Sequence, residues 1–573
     1  MNAPVTSAQT EKNGLVPFNL ADFYKTGHPS MYPRSTSKLV ANLTPRSAKY
    51  APVLPQLFDG KVVVFGLQGF IKEFFLDMFN REFFGARTKA SAVRKYKRRM
   101  DNSLGKDAVS TSNLEALYDL GYLPLEIRAL PEGSRVNIKV PPYIFINTNN
   151  DFPWVATYFE TIVSCENWKP STVATIAFEF RKLLTYFTKL TGSPEGFIDV
   201  QGHDFSMRGM SGVHDAMRCG AGHNLSFVGT DTIPSIDYLE DYYCADSDRE
   251  LVGCSIPATE HSVMTLRILL TLKHIAIDPA NAGKSEQALR RIAEREVIRE
   301  LVSKDYPAGM ISIVADSFDY WNTVTEVARE LKDVILSRKP NELGLCKVVF
   351  RPDSGNPVLI LTGYFPEELV CDAAGEPVVS ADGMYTANDG SGTRVTEAER
   401  KGSVECLWDI FGGTTTAKGF KVLDSHVGLI YGDSISLPRA RDIMLRLVRK
   451  DFASCNVVLG IGSYTYNMLS RDTFGWAMKA IYAEVGDESI AIYKDPATDD
   501  GTKKSAKGLL RVEKQGNDYV LHEEQTLEQF EGGELVPVFR NGELLVETTL
   551  TEMRDRIRAS WTCPEPGSIE WVA

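Results

Sequence analysis

The middle of the chain contains six short apolar runs, each followed at once by polar or glycine-rich residues. Runs of three or four apolar residues suit strands that are buried on both faces, as in parallel sheets. Helical patterns, such as 285–303 and 437–451, lie between several of them, and alternating strands and helices indicate β/α units. The predicted strands are 197–200, 225–228, 311–314, 347–350, 428–431 and 457–459.

The polar residues that follow these runs are the first candidates for a functional site. The carboxyl ends of parallel strands meet at one edge of a β/α barrel or a doubly wound sheet, where such folds place their sites. Ordinary turns explain any single one of these segments equally well, but six in series favour a shared site. The segments are 203–205, 229–231, 316–317, 351–355, 432–434 and 460–463.

The two ends of the chain have a different pattern. Residues 1–17 predict a flexible tail, and the part up to about 191 mixes β-like runs such as 61–64 with helices. After about 473, strand-like runs at 490–493, 519–521 and 544–546 alternate with polar turns such as Asn541-Gly542. The stretch 363–401 is rich in Gly, Asp and Thr, which predicts a surface insertion.

Composition narrows the class of protein. The 573 residues are 43% hydrophobic and 24% charged, which is typical of a globular protein. A net charge of −12 argues against general nucleic-acid binding, although a local basic pocket for a small anion remains compatible with it. Nine scattered cysteines indicate reduced thiols, and we find no leader and no membrane-spanning run. A cytoplasmic protein is expected.

The segment from Arg351 to Pro357 has the residue types of a phosphate and sugar site. Arg351 can form paired hydrogen bonds with an anionic or carbonyl oxygen, and Asp353 can bind Mg²⁺ or a ribose hydroxyl. The following Ser-Gly can present backbone N–H groups to phosphate oxygens. A Pro-Asp-Ser-Gly turn accounts for the same letters equally well.

Glycine loops and cations add weaker indications of phosphate binding. Gly432-Asp433 and 460–463 can form tight loops, although simple turns are the default. Arg471 and Lys479 are eight residues apart and would share a face if that segment were helical. His261, beside a glutamate, could be a general base or a phosphoryl acceptor, and a structural histidine near a helix start is the commoner alternative.

Two aromatic residues and one carboxylate could recognise a flat ring. Phe205 and Tyr24 adjoin polar segments and could stack on a heteroaromatic ring, whereas most aromatic side chains simply belong to a core. Asp231 could accept a hydrogen bond from an amide and would repel a carboxylate, or it could belong to an ordinary turn.

Taken in order, several motifs resemble those of the nicotinamide phosphoribosyltransferases, a group of type II phosphoribosyltransferases. The resemblance extends from about Asn19 to about Gly508, apart from the 363–401 insertion. The motifs are Asp22-Phe23-Tyr24-Lys25, Gly66-Leu67-Gln68, His203-Asp204-Phe205 with Arg208-Gly209, Gly229 to Thr232, Ser255 to Ser262, Arg351 to Pro357, Gly432-Asp433, Leu469 to Asp472 and Lys494-Asp495-Pro496.

The resemblance implies a fold and a reaction. The fold is α/β: an irregular β/α barrel over 193–468, beside a second α+β domain formed by 18–192 and 469–573. The reaction joins nicotinamide to phosphoribosyl pyrophosphate with Mg²⁺, giving nicotinamide mononucleotide and pyrophosphate for NAD salvage. ATP hydrolysis is coupled through a phosphohistidine. A homodimer with active sites shared between subunits is also implied.

The resemblance further implies individual roles. Phe205 and Tyr24, the latter from the other subunit, would enclose the pyridine ring. Asp231 would hold the carboxamide nitrogen, and Arg351 its oxygen or the pyrophosphate. His261 would be phosphorylated. Further residues would serve the ribose, the metal and the phosphates: Asp353 (also the metal ligand), Asp319, Arg208, Asp22, Ser255, Gly432, Asp433, Gly462, Ser463, Arg471, Lys479, Arg46 and Lys494.

Departures and alternatives also follow from the sequence. Ala315, Gly428, Ala477 and Ser463 depart from the pattern, which bears on phosphate and nucleotide affinity more than on reaction type. A relative that uses nicotinate is one alternative, and Asp231 disfavours it because two carboxylates repel each other. A non-catalytic binding protein on the same scaffold is another. The residues whose loss would indicate it, His261, Asp353 and Arg351, are all present.

Overall fold

Two β-sheets, one parallel and one antiparallel, form the framework of this computed structural model, which describes residues 15–86, 88–494 and 506–571. In the parallel sheet, every neighbouring pair of strands runs in the same direction. The strand order is Gly229–Thr230, Gly202–Phe205, Val457–Gly462, Val427–Tyr431, Val348–Arg351 and Ile311–Val314.

A short irregular segment closes this sheet into a barrel. Residues 254–259 run between the two edge strands: Thr230 N donates to Cys254 O (2.9 Å), and Thr259 N donates to Ser312 O (2.9 Å). Isolated parallel bridges at Gly229 and Ala258 mark the same closure. The predicted irregular β/α barrel is therefore confirmed.

Four of the six predicted barrel strands are confirmed and two are wrong. The run 197–200 falls in the helical turns Glu195–Phe197 and Ile198–Gln201, and 225–228 follows the helix Val213–Asn224 as a turn. The strands begin a few residues later, at Gly202 and Gly229. A four-residue apolar run fits a buried helical turn as well as a strand, so periodicity does not separate the two.

The antiparallel sheet combines both ends of the chain, as expected for the second domain. Its strand order is Glu488–Ala491, Ala477–Val485, Thr36–Thr44, Tyr143–Asn147, Leu125–Ala129, Val536–Arg540 and Glu543–Leu544. The last two strands form the predicted hairpin, in which Asn541 and Gly542 have φ angles of 52° and 86°. Positive φ at both turn residues is what a two-residue hairpin of this kind requires.

Smaller pairs and helices complete the architecture. The two-stranded pairs are Lys61–Val63 with Arg135–Asn137, Tyr385–Thr386 with Arg394–Val395, Gly413–Thr415 with Lys421–Leu423, and Arg511–Gln515 with Asp518–His522. The α-helices are His28–Met31, Leu67–Phe70, Lys89–Leu104, Ser112–Leu120, Val155–Tyr158, Glu160–Thr191, Ile198–Gln201, Val213–Asn224, Ile233–Tyr243, His261–Ala276, Glu286–Glu300, Tyr320–Asn322, Ala328–Glu330, Lys332–Leu336, Pro357–Thr362, Glu397–Lys401, Ser403–Phe411, Leu437–Arg449, Ser463–Tyr466, Leu527–Phe530 and Leu550–Ala559. Ile71–Phe84, Leu301–Asp305 and Thr323–Val327 are π-helical.

The helix Glu160–Thr191 lies between the two sheets and packs against both cores. Ile162 belongs to the core of the antiparallel sheet, and Phe180 belongs to the core of the barrel. Near the other end of the helix, Phe187 stacks on the ring of Trp571. Trp571, the last described residue, is thus packed against the barrel core. The exact domain boundaries stay a prediction. Of the predicted tail 1–17, residues 1–14 lie outside the described residues, whereas Val16 and Pro17 are buried.

The 363–401 segment lies on the outer helices of the barrel. It has a small core of its own, made by Leu369, Ala387 and Val395. Arg446 of the helix Leu437–Arg449 pairs with Glu368 (2.6 Å) and anchors the segment. None of its residues lines the cavity described below.

Two simpler expectations concern helices and thiols. In the described ranges, every helix is too short or too polar to cross a bilayer. All nine cysteines are free.

Candidate active site

A cavity of about 810 Å³ opens at the carboxyl edge of the parallel sheet. Most of the residues that the sequence predicts for the site meet here. The lining consists of Phe205, Met207, Arg208, Asp231, Thr232, Glu260, His261, Ser262, Arg351, Asp353, Gly432, Asp433, Ser434, Gly462, Ser463 and Tyr464.

Strand ends and glycines position these side chains. Phe205, Arg351 and Gly462 are each the last residue of a barrel strand. A Cβ atom at Gly460 would lie 2.5 Å from a ring carbon of Phe205, and one at Gly432 would lie 2.8 Å from Oδ1 of Asp353. Both glycines are therefore needed for close approach, and Gly460 makes the space in which the Phe205 ring sits.

Asp231 is held as an ionised acceptor at the cavity wall. Its Oδ1 accepts a hydrogen bond from Ser255 Oγ (2.6 Å) and lies 2.9 Å from His203 Nε2. Burial disfavours the charge, but the bonds from His203 and Ser255 and the charge of Arg351 outweigh it and lower the pKa of Asp231. Ser255 itself is exposed and is not among the residues that line the cavity.

Arg351 presents a partly unmatched guanidinium to the cavity. Its Nη2 donates to Thr259 O (2.7 Å), whereas its buried Nε has no partner among the described residues. Burial lowers the pKa of Arg351, and the nearby carboxylates of Asp353 and Asp231 oppose that effect. An unmatched buried N–H on a cation suits an anionic or carbonyl oxygen of a ligand.

Asp316 lies in one of the candidate polar segments, 316–317, but the sequence pattern gives it no individual role. Its Oδ1 lies 3.1 Å from His261 Nε2, and its Oδ2 accepts from Asp353 N (3.1 Å) and Ser354 Oγ (2.6 Å). The side chain of Asp316 is 5% exposed, against 46% for His261. The signal in the sequence is its position two residues after the strand Ile311–Val314.

Asp319, which the sequence analysis selected in this region, lies elsewhere. Its Oδ1 accepts from Asn322 N and caps the helix Tyr320–Asn322, and its Oδ2 pairs with Arg291 (3.0 Å). It does not line the cavity. The acidic position next to His261 belongs to Asp316.

Five further predicted residues, Asp22, Tyr24, Arg471, Lys479 and Arg46, form a second group that contains three cations. Asp22, Tyr24 and Arg471 line a separate cavity of about 210 Å³ together with Glu160. Lys479 lies 3.9 Å from Glu160, and Arg46 Nε donates to Gly475 O (2.9 Å). The two cavities have no lining residue in common.

Charge and exposure characterise this second group. Burial lowers the pKa of Lys479, and the neighbouring cations Arg46, Arg471 and Lys25 lower it further, against Glu160. Tyr24 is 60% exposed. Lys479 lies in the strand Ala477–Val485 and Arg471 in the short turn Arg471–Thr473, so the helical spacing proposed for the pair is wrong.

The structure also places Lys494 and three of the residues that depart from the family pattern. Lys494 is exposed, and Asp495 and Pro496 of its motif lie outside the described residues. Among the departures, Ser463 lines the cavity, and Ala315 is fully buried beside the barrel strands. Gly428 lies inside a strand, where a Cβ atom would come 2.7 Å from the Lys347 side chain.

The acidic lining fits Mg²⁺ that arrives with a phosphate ligand. The described residues contain no cluster of three or more His, Cys, Asp or Glu side chains arranged to hold a metal ion. Asp353 and Asp433 both line the cavity. Mg²⁺ keeps several waters and takes one or two carboxylates plus substrate phosphates, and two carboxylates in the lining are of the residue type that this coordination uses.

Fold and site define a class of protein: a β/α-barrel enzyme whose cavity, at the carboxyl edge of the parallel sheet, is lined by Phe205, Asp231 and Arg351 among others. The sequence profile of the nicotinate phosphoribosyltransferase (NAPRTase) family matches residues 200–534, more than half of the chain. The chain belongs to this family.

Three similar bacterial proteins are named nicotinamide phosphoribosyltransferase. A nicotinamide phosphoribosyltransferase of Acinetobacter baylyi is 49% identical over 541 residues, covering 94% of this chain and 97% of its own length. Those of Mycoplasma genitalium and Xanthomonas campestris are 30% and 29% identical, covering 85% and 76% of this chain and 93% and 79% of their own lengths.

Proposed function

We propose that this chain transfers the phosphoribosyl group of phosphoribosyl pyrophosphate to nicotinamide, forming nicotinamide mononucleotide and pyrophosphate for NAD salvage. One observation carries the proposal: an ionised Asp231 faces the cavity beside Phe205 and Arg351. A carboxylate at this place accepts a hydrogen bond from an amide and repels the carboxylate of nicotinate. The names of the relatives support the same substrate.

The lining residues account for the chemistry of the transfer. Phe205 stacks on the pyridine ring and Asp231 orients its amide, so that the ring nitrogen points at the anomeric carbon. The nitrogen lone pair forms the new bond to that carbon while the bond to the pyrophosphate oxygen breaks and its electron pair leaves with pyrophosphate. Nicotinamide is neutral at the reacting nitrogen, so no general base is needed.

Charges on the chain match the charges that develop. Arg351 and Arg208 offer N–H groups to the leaving pyrophosphate. Asp353 serves the ribose hydroxyls and, with Asp433, would hold Mg²⁺. The metal ion, when bound, supplies charge stabilisation for the departing phosphates.

His261 is proposed as the residue that couples ATP hydrolysis to the transfer. Asp316 engages Nε2, so Nδ1 carries the free lone pair for attack on the γ-phosphorus of ATP. The bond between that phosphorus and the bridging oxygen breaks, and ADP leaves with the electron pair. Hydrolysis of the phosphohistidine then returns the histidine and releases phosphate.

A homodimer with shared sites would unite the two groups of predicted residues. Tyr24, Arg471 and Lys479 lie outside the main cavity within one chain. In the proposed dimer, Tyr24 of one subunit covers the second face of the pyridine ring that is bound to the other subunit. Arg471 and Lys479 bind a phosphate group of the substrate in that same site. The free cysteines support a reducing, cytoplasmic location.

The purified enzyme tests the proposal directly. With phosphoribosyl pyrophosphate and Mg²⁺, we expect pyrophosphate release to be much faster with nicotinamide than with nicotinate. Equal turnover of the two bases would reject the assignment in favour of a relative without base preference. Absence of release with either base would favour a non-catalytic binding protein.

A further inference from the structure

We infer that His203 is a positioning residue for base specificity, because it fixes which oxygen of Asp231 the substrate meets. The inference rests on the proposed function and adds a residue to it. His203 does not line the cavity: its side chain is 10% exposed, against 45% for Asp231. It therefore acts on the base through Asp231.

Strand register brings the two residues together. His203 pairs with Gly229 in the parallel ladder, and Asp204 pairs with Thr230. Asp231 follows directly, and its backbone N donates to Asp204 O (2.9 Å). The Asp231 side chain therefore leaves its strand beside the imidazole of His203, where Nε2 lies 2.9 Å from Oδ1.

A glycine makes room for the imidazole. A Cβ atom at Gly229 would lie 2.9 Å from Nδ1 of His203, closer than real Cβ contacts. The imidazole centre also lies 4.7 Å from the ring centre of Phe205, at an interplanar angle of 47°. His203 is thus in contact with both the proposed stacking ring and the proposed amide acceptor.

Both donors in this corner act on the same oxygen. Ser255 Oγ donates to Oδ1 of Asp231, the atom that His203 Nε2 also engages. Within the described ranges, Oδ2 of Asp231 accepts no hydrogen bond. Two hydrogen-bond partners on Oδ1 fix the orientation of the whole carboxylate. Oδ2 is then left to accept the amide N–H of the substrate.

Loss of His203 should affect recognition of the base and not binding of the activated sugar. Without His203, Asp231 loses a donor that favours its charged form and a contact that fixes its rotamer. The amide then loses a positioned acceptor, and the repulsion of a carboxylate weakens. Binding of phosphoribosyl pyrophosphate, which uses other residues, does not depend on this contact.

The test compares His203→Ala and His203→Gln with the parent enzyme. Glutamine keeps an N–H donor of similar reach, whereas alanine removes it. In the alanine variant we expect the KM for nicotinamide to rise about tenfold, in line with loss of a charge-assisted hydrogen bond, while kcat and the KM for phosphoribosyl pyrophosphate change less than about twofold. Glutamine should restore most of the loss, and the nicotinate-to-nicotinamide ratio should rise in the alanine variant only.

Controls separate the possible outcomes. Ser255→Ala removes the other donor to Oδ1 and should shift the same parameters in the same direction, which keeps the inference testable if His203→Ala does not fold. His426→Gln changes a histidine–carboxylate pair with Asp424 outside the cavity and should leave all parameters unchanged. An unchanged base ratio in His203→Ala, or a glutamine variant no better than alanine, would overturn the inference. A parent enzyme without nicotinamide preference would instead reject the proposed function.

Discussion

Asp316 joins His261 to the loop that carries Asp353. One carboxylate oxygen faces the imidazole, and the other accepts from the backbone N of Asp353 and the hydroxyl of Ser354. This arrangement orients the imidazole and determines which nitrogen carries its proton. A change at Asp316 should therefore affect phosphorylation of His261 before it affects base binding.

The phosphohistidine predicts a defined labelling pattern. With γ-labelled ATP, the parent enzyme should acquire acid-labile phosphate, and His261→Ala should acquire none. Asp316→Asn should lower the labelling rate about tenfold or more. Without the carboxylate, the imidazole proton is no longer held on Nε2, so the lone pair is no longer held on Nδ1. His274→Ala, at the other end of the same helix, is the matched control and should label normally. Persistent label in His261→Ala would refute the assignment.

At the residue scale, the sequence predicts which kinds of side chain gather but not which neighbour faces inward. Phe205 and Arg351 end their strands, Asp231 follows its strand, and the three line one cavity as expected. Asp316 and Asp319 are three residues apart in a turn, and their directions depend on backbone angles that the sequence pattern does not encode. The pairing of His203 with Asp231 likewise depends on strand register.

At the element scale, the helix Glu286–Glu300 contains a buried carboxylate that links stability to pH. Burial raises the pKa of Glu294 to about 7, and its Oε1 has no partner among the described residues. Because the folded pKa lies above the unfolded value, the protonated group contributes stability that is full below about pH 4.5 and is lost as the pH rises through 7.

The variant Glu294→Gln isolates this effect. It keeps the shape of the side chain and cannot titrate, so its stability relative to the parent should rise between pH 5 and pH 8, by up to about 3 kcal/mol. Unfolding midpoints at the two pH values measure the difference. Glu286→Gln, on the exposed part of the same helix, should give the same difference at both pH values. A constant difference for Glu294→Gln would contradict the prediction.

Elements with clear periodicity agree best between sequence and structure. The helices predicted at 285–303 and 437–451 appear as Glu286–Glu300, extended by π-helical turns, and Leu437–Arg449. The strands at 202–205 and 229–230 were missed because they are polar or glycine-rich: His203 and Gly229 serve the site and its packing rather than the core. In these two strands, residues that serve the site thus stand where apolar residues would otherwise predict a strand.

At the scale of the whole molecule, the predicted site is divided between two cavities of one chain. Asp353 lines the main cavity, and Tyr24 lines the smaller one. A shared-site homodimer predicts complementation between Tyr24→Ala and Asp353→Ala. Each variant alone should be nearly inactive, and subunits mixed one to one should regain about one quarter of the parent activity, since half of the dimers are hybrids with one intact site. Hybrid dimers without recovered activity would contradict shared sites.

The central claim is that the charge of Asp231 selects an amide over a carboxylate. The most direct measurement is the ratio of kcat/KM for nicotinamide to that for nicotinate, in the parent and in Asp231→Asn. We predict a parent ratio strongly in favour of nicotinamide, and a ratio at least about tenfold lower in the variant, where an amide can donate to a carboxylate. A ratio near one in the parent, or an unchanged ratio in the variant, would contradict the claim.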